Sequence, residues 1–254
     1  MNLKREKGVA LKAAKSASKI LIRYFGNNKG IKEKSNKSLV AKADLEANKA
    51  VISLIRKNFP NHSILSEETG IEKNKSDFKW VIDPLDGTHN FIHGIPIFGT
   101  SIALEHKNEV MLGVLHFPIL KLTAVAEKGK GAFVNGKKIK VSNKKTLDYS
   151  FLMLEYSSTE RHKTAALIKK LKDNTLDVRN FGSAIYDLLL VASGKSEAYI
   201  IFRTNEWDVA AGVLLVEEAG GQVTGLDGKK YSLNDKEFLV SNGKLSNKLL
   251  DFLR

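Results

Sequence analysis

The chain has 254 residues, of which 43% are hydrophobic and 27% charged, with a net charge of +13 and no cysteine. This length supports one large domain or two closely packed halves around a sizeable core. The lack of cysteine excludes a disulfide framework and thiolate chemistry, and no apolar run approaches the roughly 20 residues needed to cross a bilayer. Lysines interrupt the apolar positions of the N-terminal stretch, which therefore lacks the continuous core of a signal peptide, and a cytoplasmic location without membrane attachment is expected. The 41 Lys and Arg against 28 Asp and Glu suit an anionic partner. They are spread along the whole length with no arm and no RNA-recognition signature, so nucleic acid is not the expected primary partner.

In chain order, residues 3–25 carry Val9, Ala10, Ala13, Ala14, Ala17, Ile20, Leu21 and Tyr24 at three- and four-residue steps. That spacing predicts an amphipathic helix, stopped at Gly26. A lysine- and glycine-containing loop is predicted over 29–38, then a second helix over 43–58 with Pro60 just beyond it. Asp44 falls in the first turn of that helix, where position alone reads as complementing the dipole. A strand over 62–66 ends in the adjacent carboxylates Glu67 and Glu68, which repel each other unless a cation or solvent screens them.

The stretch Trp80–Phe91, WVIDPLDGTHNF, reads as a short buried strand that Pro84 ends, since proline fixes its own φ and holds Asp83 extended. The chain then turns through Leu85 and Asp86 into Gly87, where backbone can approach a ligand closely. Turn-prone residues alone would make this an ordinary turn. Its fusion to a hydrophobic strand, with acidic residues elsewhere at other element ends, suggests a metal-and-phosphate site instead. Carboxylates would hold hard cations, and free N–H groups at a helix start would face an anion.

Strands over 100–104, 111–117 and 122–126 predict an antiparallel meander, and Asn135-Gly136 a hairpin turn. His89, His93, His106 and His116 show no metal-ligand spacing. The second half alternates: strand 151–154, helix 159–171, strand 178–181, helix 184–192 and strand 198–202. There follows a helix from about 208, closed by Gly220-Gly221, then a strand over 238–241 and a short C-terminal helix. Asp208 is placed to cap its helix or, if that helix end faces a ligand, to bind metal.

SEET at 66–69, VIDPLDGTHNF at 81–91 and NEWDVAAGVLLVEEAGG at 205–221 together resemble the inositol monophosphatase family of metal-dependent phosphatases. LVAKAD at 39–44 and GKGAFVNGKKIKVS at 129–142 are similar to further family segments. The resemblance implies an α+β fold layered α-β-α-β-α, of the sugar-phosphatase type, generally a homodimer. It implies a single phosphatase domain over 1–254, with metal and catalytic motifs in 1–145 and the substrate side in 146–254. It implies Mg²⁺ held by Glu67, Asp83, the Leu85 carbonyl, Asp86 and Asp208, with Glu68 in a less defined role. Asp44 and Thr88 match the pair that orients the attacking water, and Glu67 would assist through a third metal. Gly87 and Thr88 match backbone donors to phosphate, and Gly182, Ser183 and Ala184, with Asp86 and Asp208, match the substrate side.

The implied reaction is hydrolysis of inositol monophosphate and related small sugar phosphates by direct attack of an activated water, without a phosphoenzyme. Alternatives within the superfamily are fructose-1,6-bisphosphate, a 3′-phosphonucleotide or NADP. One of another class is an RNA- or protein-binding role for the basic surface. The chain departs from the family pattern at Ser38 and Ala41. It also has Ile200 and Ile201 where many members place an acidic residue that binds substrate hydroxyls. Ile201 is read as an apolar wall of the substrate side, which predicts broad specificity, with Arg203 or lysines near 29–37 attracting a second phosphate.

Overall fold

A computed structural model describes residues 1–26, 33–155, 161–233 and 235–253, without the side chains of 33–39 and 161–164. Helices α1 (Lys4–Tyr24) and α2 (Glu33–Asn58) precede the first sheet. Its strands are β1 (Ser63–Ser66), β2 (Gly70–Glu72), β3 (Phe78–Asp86), β4 (Gly99–His106), β5 (Glu109–Phe117), β6 (Leu122–Glu127), β7 (Gly131–Val134) and β8 (Lys137–Lys138). They run in the order β2-β1-β3-β4-β5-β6-β7-β8. The short helix α3 (Thr88–Ile92) leaves the end of β3. The second sheet is built from β9 (Phe151–Leu154), β10 (Asp177–Arg179), β11 (Ala198–Ile201), β12 (Gln222–Gly225) and β13 (Phe238–Ser241) in the order β10-β9-β11-β13-β12. Helices α4 (Arg161–Lys172), α5 (Ala184–Ala192), α6 (Glu206–Glu218) and α7 (Ser246–Leu253) complete the chain.

Strand alternation sets the layers, because successive side chains leave opposite faces. On β3, Trp80 and Ile82 join the core shared with Ala13, Ala17 and Leu21 of α1 and Ala43 and Ala47 of α2. Val81, between them, faces Leu188 of α5 and Val213 of α6 on the other side. In the second sheet Met153, Tyr199 and Ile201 face that same middle helix layer. Leu152, Leu154 and Ile200 face Leu171 of α4 and Leu249 of α7. The result is the expected α-β-α-β-α sandwich. Helix α5 is apolar nearly all round because it is buried between two sheets. Helix α6 crosses the first sheet so closely that a Cβ on Gly113 would lie 2.7 Å from the Ala211 carbonyl.

Several elements differ from expectation. Residues 29–32 of the expected loop lie outside the described residues, and 33–38 belong to α2, which starts ten residues before the expected helix. No Gly or Pro lies between Gly30 and Pro60, so the sequence holds no breaker there. Strand β3 does not stop at Pro84. It continues to Asp86 through a register shift between Asp83 and Asp86, where the ladder asks no N–H of the proline. The Asn135-Gly136 turn forms as expected, both residues at positive φ (48° and 77°), pairing Val134 with Lys137. Residues 159 and 160 of the helix expected over 159–171 lie outside the described residues, and β12 has no clear alternation to reveal it.

Candidate active site

The acidic motifs meet because four element ends meet. Parallel pairing of β1 with β3 ends at Ser66 and Ile82, and the Glu67 N–H continues it by donating to the Ile82 carbonyl at 3.2 Å. Glu67 and Asp83 therefore leave the ends of neighbouring strands side by side. The register shift then carries Asp86 back onto the same end of the sheet. From the middle layer, α5 and α6 point their N-termini here. Asp86 accepts the Ser183 hydroxyl and the Ala184 N–H, the latter at 3.1 Å. Asp208 lies in the first turn of α6 and accepts the Asn205 N–H at 2.7 Å and the Thr204 hydroxyl at 3.2 Å. Asn205 is the N-cap, and Asp208 shares the capping as the N3 residue of a capping box by accepting the Asn205 N–H.

Asp44 corrects another expectation. With α2 starting at Glu33, Asp44 sits well inside the helix, not in its first turn, and a dipole role does not account for it. It is 6% exposed, and its Oδ1 is buried with no hydrogen-bond partner. Burial, then the charges of Glu68 and Glu67, push its carboxyl up to about 8. Burial, then the charges of Asp86, Glu67, Asp208 and Asp44, raise Asp83 well above the carboxylate range. Burial also raises Asp86, to about 7, with the Ser183 hydroxyl pulling the other way. Glu67 and Asp208 are raised as well, chiefly by burial; an interaction with Asp83 opposes the shift at Glu67, and the Asn205 N–H opposes it at Asp208. Burial is the first cause at each of the five, and neighbouring carboxylates add to it at Asp44, Glu67, Asp83 and Asp86, the condition a hard cation relieves.

The donor set is all oxygen, as Mg²⁺ requires, and Asp44 Oδ1 is an orphaned buried acceptor beside it, so the residues fit the ion by chemistry. Among the described residues no group of three or more His, Asp or Glu side chains is already placed to hold a metal ion; Asp83, Asp86 and Asp208 instead each turn to a local donor. For Asp83 that donor is the Leu85 N–H at 2.9 Å. The Leu85 carbonyl accepts the Thr88 hydroxyl at 3.1 Å and keeps a second lone pair. Gly87, at φ 84°, precedes α3. A Cβ there would lie 2.7 Å from the Ile97 carbonyl, so only glycine fits, and the first N–H groups of α3 have no partner within the helix.

One expectation on the substrate side changes, that of Ile201. Gly182, Ser183 and Ala184 do lie at this end of the fold, but Ser183 and Ala184 hold Asp86. Ile201 is 1% exposed and packs in the core beside Met153 and Phe238. It is no wall of the site, because its position in β11 points it at the middle helices. After it, Phe202 is half-buried against the core shared with α4 and α7, whereas Arg203 is exposed and its N–H donates to Glu155 at 3.2 Å.

The sequence reading passed over three residues here. Asn90 ties the 181 loop down, its amide donating to the Phe181 and Ile97 carbonyls at 2.6 and 2.8 Å. The Thr100 hydroxyl holds the Pro84 carbonyl at 2.9 Å. Asp187, 1% exposed with neither carboxylate oxygen partnered, is pushed up to about 8 by burial and then by the charge of Asp86. A lone aspartate in AIYDLLLVA was the available signal.

Among the described residues no helix is long and apolar enough to cross a membrane. Residues 3–253 match the profile of the inositol monophosphatase family. The chain is 36% identical over 244 residues to fructose-1,6-bisphosphatase/inositol-1-monophosphatase of Thermotoga maritima, covering 95% of this chain and 93% of that one. It is 34% identical over 252 residues to Nus factor SuhB of Pseudomonas aeruginosa, covering 95% and 93%. The structure of inositol monophosphatase from Anabaena superposes with a TM-score of 0.89 at 35% identity, covering all of this chain and 96% of that one. The chain belongs to the inositol monophosphatase family, and it is a phosphoric monoester hydrolase.

Proposed function

We propose that this single catalytic unit hydrolyses small phosphate monoesters of polyols and sugars, inositol monophosphate and fructose 1,6-bisphosphate among them, with Mg²⁺ as cofactor. The observation that carries the reading is the convergence of Asp44, Glu67, Asp83, Asp86 and Asp208 at one end of the sandwich, where each carboxyl is raised above its ordinary value. Glu67, Asp83, the Leu85 carbonyl, Asp86 and Asp208 would hold the metal. When bound, it supplies charge neutralisation for a phosphate dianion, a more acidic water and a stabilised leaving alkoxide.

The chain's own groups do the rest. The Thr88 hydroxyl spends its proton on the Leu85 carbonyl, so its free lone pair accepts from the attacking water and fixes its orientation. Asp44, with its unpartnered Oδ1, and Glu67 are placed as acceptors for the proton that this water loses. The N–H groups of Gly87 and Thr88 face the phosphate, and the α3 backbone keeps them rigid. Exposed Arg203 supplies a charge on the substrate side, and a homodimer is the proposed assembly, as in the family.

Phosphate release from inositol 1-phosphate, fructose 1,6-bisphosphate, phosphoadenosine phosphate and NADP, with and without Mg²⁺, tests this. Turnover of the first two, lost on chelation, is expected. Turnover confined to the last two would move the substrate to a nucleotide.

A second reading rests on the relatives named Nus factor SuhB together with the +13 charge. It gives the basic surface an RNA-binding role beside catalysis. RNA binding that weakens steeply with salt would support it.

A further inference from the structure

Lys79 and Glu105 stand directly opposite each other on β3 and β4. By strand alternation Lys79 shares a face with Val81, which packs on α5 and α6. Both side chains therefore rise beneath the first turn of α6. There the Lys79 Nζ lies 3.0 Å from Glu105 Oε2 and 2.5 Å from Glu206 Oε1, with Lys79 only 23% exposed and Glu105 3%. Glu206 is the first residue of α6, two before Asp208.

Fold stability alone gives little reason for this arrangement. Taking the Lys79 ammonium and the Glu206 carboxylate largely out of water is costly, and well-packed apolar side chains in their place commonly do as well or better. Glu206 at a helix N-terminus is already favoured by the dipole without a lysine beneath it. Glu105 is left with a buried oxygen, Oε1, that no donor reaches. What the lysine adds is direction, because it ties one point of α6 to one point of β3. The same strand carries Asp83 four residues on, and the same helix carries Asp208.

We propose that Lys79, braced by Glu105, is a positioning residue: by gripping Glu206 it sets the first turn of α6 against β3 and so fixes Asp208 relative to Asp83. The inference rests on the metal reading of that pair. The other end of the junction is held from the second sheet, where Glu155 receives the Arg203 N–H. The segment leading into α6 is thus held at Arg203 and its first residue at Glu206, and the Lys79 tie shares a strand with Asp83. Outer groups that orient metal ligands typically contribute about 10–100-fold in affinity or activity.

The test is calorimetric titration of the full chain with Mg²⁺, beside turnover at varied Mg²⁺ and thermal melting, for wild type, Lys79→Met, Lys79→Arg and Asp83→Asn. Lys79→Met is expected to weaken Mg²⁺ binding about tenfold or more and to raise the Mg²⁺ needed for half-maximal turnover in step. The KM for substrate at saturating Mg²⁺ should stay unchanged, and Lys79→Arg should recover most of the affinity. If Lys79→Met does not fold, Glu206→Gln releases the same grip with a side chain of equal size. Isotherms for these variants that superimpose on wild type, while Asp83→Asn still loses Mg²⁺, overturn the positioning role and leave the phosphatase reading standing. A wild-type protein that binds no Mg²⁺ overturns both.

Discussion

The Ser183 hydroxyl donates to Asp86, and the N–H groups of Ala184 and Ile185 converge on the same carboxylate from 3.1 and 3.5 Å. A residue at the end of the first sheet is therefore held by the N-terminus of a helix in the middle layer. Donors and dipole offset part of the cost of burying the charge. These donors oppose the rise that burial imposes on Asp86, which reaches about 7; Asp83, which accepts the Leu85 N–H, is raised well above the carboxylate range by burial and the charges around it.

Removing that hydroxyl should show it. In Ser183→Ala, Asp86 loses its strongest neutral donor and binds its proton more tightly. Mg²⁺ affinity at pH 7 should fall about 10-fold or more, with part of the loss recovered at pH 8.5, where the carboxylate ionises. The check is half-maximal Mg²⁺ for turnover at the two pH values; an equal deficit at both would mean that the serine acts only on helix α5.

Asp208→Asn separates helix capping from metal binding. The side chain can still accept the Asn205 N–H, so melting temperature should barely change. Turnover should fall roughly a hundredfold or more, and the Mg²⁺ requirement should rise. Unchanged kinetics would return Asp208 to a purely local role in the first turn of α6.

Metal-free stability should decline with pH. Asp44 and Glu105 are both raised to about 8, chiefly by burial, whereas an unfolded chain loses these protons near about 4. Between those values the folded state binds more protons than the unfolded state, so stability falls as pH rises. The contribution is fully present below about pH 4 and gone above about 8. Chelated protein should melt progressively lower from pH 5 to 8, and Glu105→Gln should flatten part of the slope because an amide does not titrate. An identical slope in that variant would contradict the placement of Glu105.

Arg203 is exposed beside the site, and its charge suits a substrate carrying a second phosphate. Arg203→Ala should lower kcat/KM for fructose 1,6-bisphosphate several-fold more than for inositol 1-phosphate, a difference that shrinks in high salt. Equal losses on both substrates would remove Arg203 from substrate selection.

Much of this architecture was legible in the sequence wherever periodicity was strong and buried on one side. Residues 184–192 form α5 and residues 238–241 form β13 with the expected bounds. The sequence also placed Asp83 and Asp86 at a strand end, although Pro84 concealed that β3 runs on to Asp86, because a bulge supplies what the missing N–H could not. Asp44 was misplaced within its helix because the first turns of α2 carry few apolar residues to mark a start. Ile201 was misjudged for a different reason. An apolar residue in a strand between a sheet face and a helix layer looks the same as one lining a cleft until the partner layer is known. The Lys79–Glu105–Glu206 contact was invisible for the same reason, since its members come from three elements far apart in sequence.

Asp83 stands at the centre of the account, since its carboxyl feels Asp86, Glu67, Asp208 and Asp44 at once. The most direct measurement is phosphate release from inositol 1-phosphate and fructose 1,6-bisphosphate by wild type and Asp83→Asn, each over a full Mg²⁺ titration and after chelation. The account predicts turnover by wild type that chelation abolishes and Mg²⁺ restores, and a loss of roughly a thousandfold or more in the variant with its fold intact by circular dichroism. Near-normal turnover by Asp83→Asn at saturating Mg²⁺, or wild-type turnover that survives chelation, would contradict it.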